Sequence, residues 1–215
     1  MAPTVTKLRF QTRNPERVNV YLDGAYAFSL PAVEAAHLRL GQALTEAEIQ
    51  ELREQDALQR AYERALRLLS YRPRSEKEIR RYLQRRGEPE ARVEGVVERL
   101  RASKWVDDEG FARSWVENRQ AFRPRSRKAL RFELRQKGVD EGTIESVLED
   151  VDDEGKALEV ALQRAPRWKD LEYGAFHRRM SNYLSRRGFG YEEITGAVKQ
   201  AWETVRNQPR DQEEG

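Results

Sequence analysis

The chain of 215 residues contains no cysteine, and its two histidines, His37 and His177, stand far apart. The first absence excludes a disulfide scaffold, an iron–sulfur cluster and a thiolate zinc site. The second leaves almost nothing from which to build a histidine metal site or a nucleophile–histidine pair, and neither histidine is assigned a role. Long apolar runs are missing as well. The longest stretch without a charged residue lies between Asp23 and Glu34, well short of the ~20 residues of a membrane span. The amino terminus, Met1-Ala2-Pro3-Thr4, lacks the cationic start and apolar run of a secretory signal. These absences predict a soluble, cytoplasmic protein that does not engage membranes.

What the sequence has in abundance is charge of both signs. Charged residues make up 36% of the chain and hydrophobic ones only 38%, with a mean hydropathy of −0.91. Ordinary domains are about one quarter charged, so a thin or elongated helical body with much solvated surface is expected. Forty Lys and Arg against 37 Asp and Glu leave a net charge of only +3. That balance, with a pI of about 9.1, is compatible with a nucleic-acid partner without establishing one.

Apolar residues alternate with polar ones through residues 4–30: Val5, Leu8 and Phe10, then Val18, Val20 and Leu22, then Tyr26 and Phe28. Asp23-Gly24 is a hairpin turn signal, and the pattern predicts a small antiparallel sheet of about three strands. From Pro31 onward the period becomes helical. Thr45 and Glu48 form a capping box that opens one helix through Ile49 and Leu52, and a second helix carries Ala61, Ala65, Leu66 and Leu69.

The strongest signal is an internal repeat. Arg72-Pro73-Arg74-Ser75 recurs as Arg123-Pro124-Arg125-Ser126, 51 residues on. The same offset superposes Ile79 on Leu130, Leu83 on Leu134, Gly87 on Gly138 and Val96 on Val147; a looser third copy, 50 residues further, supplies Met180, Leu184, Gly188 and Val198. Asp107-Asp108-Glu109-Gly110 likewise recurs as Asp152-Asp153-Glu154-Gly155. A period near 50 implies units that cannot bury their apolar stripe alone. Each unit reads as three helices. The middle one is capped at Ser75, with Glu78 completing a capping box, and stops at Gly87; the last carries the stripe Val93, Val96, Val97, Leu100. The expected organisation is an N-terminal β segment with short helices over 1–55, three-helix repeats over 56–105, 106–152 and 153–206, and a disordered acidic tail over 207–215.

Asp107-Asp108-Glu109 is the only concentrated carboxylate group, and it recurs where a helix must start, so its reading is a helix cap that complements the dipole. The repeated glycines are helix stops and match no phosphate-binding loop. The chain is therefore not expected to be an enzyme or to hold a cofactor or metal. The basic residues are clustered. Residues 72–87 carry seven basic side chains against two acidic, and residues 123–138 seven against one. On a helical wheel Lys77, Arg80 and Arg81 point away from Ile79 and Leu83, as Lys128, Arg131 and Arg135 do from Leu130 and Leu134. A repeated, nearly one-signed face favours an acidic partner over a merely solvated surface. The candidate binding residues are Arg72, Arg74, Lys77, Arg80, Arg81, Arg123, Arg125, Lys128, Arg131 and Arg135, with a continuous basic strip expected along the repeats. Arg86, Lys137 and Arg187 sit in last turns, where snorkelling and the helix dipole account for them. Trp105, Trp115, Trp168 and Trp202 could stack on bases, but core packing is the preferred reading for each.

The strand Arg17–Gly24, the segment Ala65–Arg81 with its Tyr-Arg-Pro-Arg-Ser, and Trp105-Val106-Asp107-Asp108-Glu109-Gly110-Phe111-Ala112 resemble the RecX family, regulators of the RecA recombinase. The likeness runs over about residues 15–202. It implies tandem three-helix repeats in an extended, curved arrangement. It also implies a monomer that binds RecA, lies in the groove of the RecA–single-stranded-DNA filament, and inhibits ATP hydrolysis, strand exchange and coprotease function, so modulating recombination, DNA repair and the SOS response. No catalytic residues carry over. The alternative is a nonspecific module whose weak direct DNA binding merely competes with RecA.

Overall fold

In the computed structural model, residues 2–207 are described, so the expected tail lies outside the described residues except for Asn207. Strands β1 (Val5–Phe10), β2 (Arg17–Leu22) and β3 (Ala25–Pro31) form an antiparallel sheet in that order. Asp23 and Gly24 both adopt positive φ, 47° and 86°, the pair of left-handed residues that matches a two-residue turn to the strand twist. Val18, Val20, Phe28 and Leu30 bury one face against the short helix α1 (Ala32–Ala35), Leu44 and Ile49.

One helix, α2 (Glu46–Leu69), replaces the two expected. Its N-terminus is the Thr45–Glu48 capping box, but no Gly or Pro interrupts it before Leu69, and nothing else breaks the hydrogen-bond ladder. The helix runs through the expected boundary at residue 55. Ile49 and Leu52 pack with the sheet, and Ala61, Tyr62 and Ala65 pack with the next core. Between the two lies Asp56, 2% exposed, paired with Arg17 at 2.5 Å and Arg60 at 2.6 Å. Arg17 also donates to the Ser29 carbonyl at 3.2 Å and hydroxyl at 3.0 Å.

Helices α3 (Glu76–Gln84) and α4 (Glu90–Ala102) follow, and Ile79, Leu83, Val93, Val96, Val97 and Leu100 close on Ala61 and Ala65. Then come α5 (Asp108–Phe122), α6 (Arg127–Lys137) and α7 (Glu141–Leu148) around Phe111, Leu130, Leu134 and Ile144. The last set is α8 (Asp153–Arg164), a 3-10 turn (Ala165–Trp168), α9 (Tyr173–Ser185) and α10 (Tyr191–Asn207), packed around Val160, Phe176, Met180 and Val198. Gly87, Gly138 and Gly188, beyond the ends of α3, α6 and α9, take φ of 81°, 87° and 92°. The chain parts into two compact units, residues 1–73 with 79–106, and residues 74–78 with 107 onward.

Within the second unit one joint is made twice. Ser75 Oγ accepts from the Glu78 amide at 3.3 Å and donates to the Lys137 carbonyl at 2.7 Å. Ser126 Oγ accepts from the Ala129 amide at 3.2 Å and donates to the Gly188 carbonyl at 2.7 Å. Each serine thus satisfies an orphan amide of its own helix and an orphan carbonyl at the end of another. The paired aspartates complete the joint and correct the sequence reading, which gave the whole cluster to its own helix. Asp107 and Asp152 do cap α5 and α8, accepting from Glu109 at 3.0 Å and Gly155 at 2.9 Å. Asp108 Oδ1 instead accepts from the Glu76 amide of α3 at 2.9 Å, and Asp153 Oδ1 from the Arg127 amide of α6 at 2.7 Å. Gly188 is needed for more than its φ, because a Cβ there would come within 2.7 Å of Ser126 Oγ and Ala129 Cβ.

Asp56→Ala strands the Arg17 guanidinium and should lower stability by about 3–5 kcal/mol in a urea titration. At the joint, burial holds the Asp153 carboxyl above the ordinary aspartate range despite the Arg127 amide. A carboxyl whose pKa is higher folded than unfolded opposes folding once ionised. Asp153→Asn keeps the acceptor and should match or exceed wild-type stability at neutral pH, with the difference vanishing as pH falls below the raised value. Asp153→Ala should lose about 1 kcal/mol with the cap.

Candidate partner-binding surface

The ten basic residues expected to contact a partner are placed in unlike settings. On the first unit, Arg72 is exposed and its guanidinium donates to the Pro73 carbonyl at 2.9 Å. Arg80 is half-buried and reaches from α3 to α4, where it pairs with Glu94 at 2.8 Å and Glu90 at 3.6 Å. Its hydrogen bond holds the Glu94 carboxyl below the ordinary range. Arg81 is exposed and makes no ion pair with any described residue. On the second unit, Arg74 is half-buried, its Nε without a partner, and Lys77 lies along Gly138, where a Cβ would meet Lys77 Cβ at 2.6 Å. Arg123 and Lys128 are exposed and make no ion pair with any described residue.

The remaining three are compensated. Arg125 donates to the Arg186 carbonyl at 2.7 Å and lies 3.7 Å from Glu133. Arg131 reaches Glu141 at 3.3 Å and Glu145 at 3.7 Å, and Arg135 binds Glu141 at 2.6 Å. The Arg135 hydrogen bond lowers the Glu141 pKa, and the same bond raises that of Arg135. The expected one-signed faces are therefore corrected in one respect. The helix after each basic helix brings glutamates back across it: Glu90 and Glu94 on α4, Glu141 and Glu145 on α7. These glutamates follow Gly87 and Gly138 in the chain and lie outside residues 72–87 and 123–138.

The tryptophans divide too. Trp115, Trp168 and Trp202 pack against the two cores of the second unit. Trp105 is 58% exposed, against the expectation of core packing. The turn after α4 places Lys104 at positive φ and buries Val106 instead, leaving the indole outside. Cations at or just beyond helix ends lie over aromatic rings as snorkelling side chains do: Arg86 over Tyr82 at 4.8 Å, Lys137 over Trp115 at 4.7 Å, Arg187 over Tyr183 at 3.8 Å. On the first unit Arg64, Arg67, Leu68, Tyr71, Tyr82 and Arg86 line a hollow of about 270 Å³. Among the described residues no group of three or more His, Asp or Glu is disposed to hold a metal ion, and no helix is long and apolar enough to cross a membrane.

Comparison with known proteins accounts for most of the chain. Residues 3–45 match the regulatory protein RecX N-terminal domain, residues 61–100 the RecX first three-helix domain, and residues 107–148 the RecX second three-helix domain. The regulatory protein RecX of Bacillus pumilus is 31% identical over 207 residues, covering 94% of this chain and 78% of its own length. That of Clostridium botulinum is 28% identical, covering 92% of this chain and 95% of its own. A crystal structure of regulatory protein RecX superposes with a TM-score of 0.73 at 27% identity, over 94% of this chain and 99% of that one. With three of its domains matched in order and relatives aligned over nearly its whole length, the chain belongs to the RecX family of regulatory proteins.

Proposed function

We propose that this protein binds the RecA recombinase and its filament on single-stranded DNA and restrains the filament's ATP hydrolysis, strand exchange and coprotease activity. The observation that carries the reading is membership in a regulatory family over nearly the whole length. The surface is suited to it. Helices α3 and α6 each present an exposed cation, Arg81 and Lys128, and exposed cations are what a polyanionic partner engages. Arg81, Arg123 and Lys128 are the members of the candidate set that are both exposed and without a carboxylate partner among the described residues. They are the ones available to phosphates or acidic side chains of a filament. Arg80, Arg131 and Arg135 first have to leave Glu94 and Glu141.

Capture of DNA-free RecA by the immobilised protein tests the partner. Binding is the expected result, and its absence would leave only competition for DNA. The surface is tested by salt titration of binding to RecA–single-stranded-DNA filaments. Replacing Arg81, Arg123 and Lys128 together by Ala should weaken binding and flatten the log–log salt dependence by about 0.7–0.9 per lost phosphate contact. Stability should change by only about 0.5 kcal/mol per site. Replacing Arg131 and Arg135 should cost less affinity. Glu141→Gln, which releases Arg135 and leaves Arg131 only Glu145 at 3.7 Å, should strengthen binding and steepen the salt dependence.

A further inference from the structure

Position for position, the third repeat lacks an anion that the second one carries. In the second repeat the Glu133 carboxylate on α6 accepts from Arg119 Nε at 2.7 Å and Trp115 Nε1 at 2.8 Å, and lies 3.7 Å from Arg125 Nε. One turn on, Lys137 pairs with Glu78 at 2.7 Å. The 50-residue offset puts Tyr183 at the place of Glu133 and Arg187 at that of Lys137. The offset that superposes Asp107 on Asp152 puts Arg164 at the place of Arg119. The cations are kept and the carboxylate is gone.

The guanidinium carbons of Arg164 and Arg187 lie 5.1 and 3.8 Å from the centroid of the one Tyr183 ring, and Arg164 is also 5.1 Å from that of Trp168. Arg125 joins them through its bond to the Arg186 carbonyl, 2.7 Å long. The Nε atoms of Arg164 and Arg187 are buried and have no hydrogen-bond acceptor, and neither arginine makes an ion pair with a described residue. Burial, reinforced by repulsion from Arg125 and Arg164, pulls the Arg187 pKa down. Aromatic faces attract such cations but give those Nε–H groups no acceptor, Arg187 Nη1 reaches only the Tyr183 carbonyl at a long 3.5 Å, and a guanidinium cannot escape by losing its proton. Among the described residues no oxyanion stands between these guanidinium groups.

We propose that Arg164 and Arg187, with Arg125, bind a phosphate group of single-stranded nucleic acid, which takes the place that Glu133 fills in the preceding repeat. The planar fork of a guanidinium fits a phosphate's oxygens. A carboxylate would also fit the fork, but only a nucleic-acid phosphate brings a base to the adjoining rings. Tyr183 and Trp168 are half-buried, stand edge to face at 5.9 Å, and give an adjoining base an aromatic surface to stack on. The site deepens the filament-binding reading, since it assigns contact with the filament's nucleic acid to the third repeat, yet it requires no RecA to be observed.

The test is fluorescence anisotropy of a labelled oligothymidylate titrated with the full chain at several salt concentrations, without RecA. Tyr183→Glu installs the carboxylate of the preceding repeat, and Arg164→Gln removes one cation while keeping a polar side chain. With circular dichroism verifying the fold, each should weaken binding about tenfold, the loss of one charge-assisted hydrogen bond. Each should also flatten the salt dependence by about 0.7, the slope of one single-strand phosphate contact. Wild-type affinity and slope in either folded variant would overturn the proposal. So would displacement by polyglutamate as effective as by unlabelled oligonucleotide at equal charge, which would make this a carboxylate site. If the variants lose the oligonucleotide while the wild type neither captures RecA nor slows its ATPase, the filament reading falls and this site stands.

Discussion

Unsatisfied backbone groups at helix ends are the constraint on which the second unit is organised. Short helices leave a large share of their amides and carbonyls without intrahelical partners, and a chain this poor in apolar residues gains little by burying them unmet. Ser75 and Ser126 close the start of one helix and the end of another with a single hydroxyl. Asp108 and Asp153 each accept from the first amide of the helix that the serine caps. The spacing of Arg-Pro-Arg-Ser, Gly and Asp-Asp-Glu along the chain is the spacing of these partners. Gly188 has no side chain because Ser126 stands where one would be.

The same arrangement decides what the many arginines can do. A net charge of +3 spread over 77 charged side chains is the visible remainder of extensive internal pairing. Each exposed pair contributes only about 0–1 kcal/mol to stability. Pairing therefore matters less for holding the fold than for removing cations from the set a partner meets. Arg80 and Arg135 lower the pKa of Glu94 and Glu141, so each pair favours the ionised carboxylate that engages its arginine. Arg81, Arg123 and Lys128 face no such competitor among the described residues.

Much of this was legible in the sequence, and the gaps have physical reasons. Alternation marked the strands, and the turn at Asp23-Gly24 was readable because both residues must tolerate positive φ. The glycine stops and the Val93–Leu100 stripe were readable because they depend on local backbone geometry and on one helix face. The break expected near residue 55 is missing because capping boxes announce a start, whereas continuity has no signal except the lack of Gly and Pro. Asp107 and Asp108 are neighbours with the same chemistry; only tertiary structure sends one to its own helix and the other to α3. Charge windows taken along the chain saw the arginines of one helix but not the glutamates that the following helix returns across them. Asp56 gave no signal, since a carboxylate on a helix reads as exposed until Arg17 covers it.

The repeats also serve as controls for one another, and this comparison joins the scaffold to its chemistry. Ser126 takes hold of the third repeat at Arg187 and Gly188: its amide donates to the Arg187 carbonyl at 3.1 Å and its hydroxyl to the Gly188 carbonyl at 2.7 Å. Arg125, the residue before Ser126, bonds the Arg186 carbonyl. The backbone that carries the Arg187 guanidinium is therefore fixed by the joint itself, and Arg125 is brought beside it by the same contact. The residues that make the joint are serine, aspartate and glycine, whereas those that set the charge are side chains on neighbouring positions. Exchange of glutamate for tyrosine between positions 133 and 183 changes whether the cations are neutralised from within, while Ser75 and Ser126 each keep a bond to a carbonyl near the end of another helix, Lys137 and Gly188. A repeat fold of this kind can vary its charge balance from repeat to repeat at single helix positions while a serine hydroxyl still ties the start of one helix to the end of another.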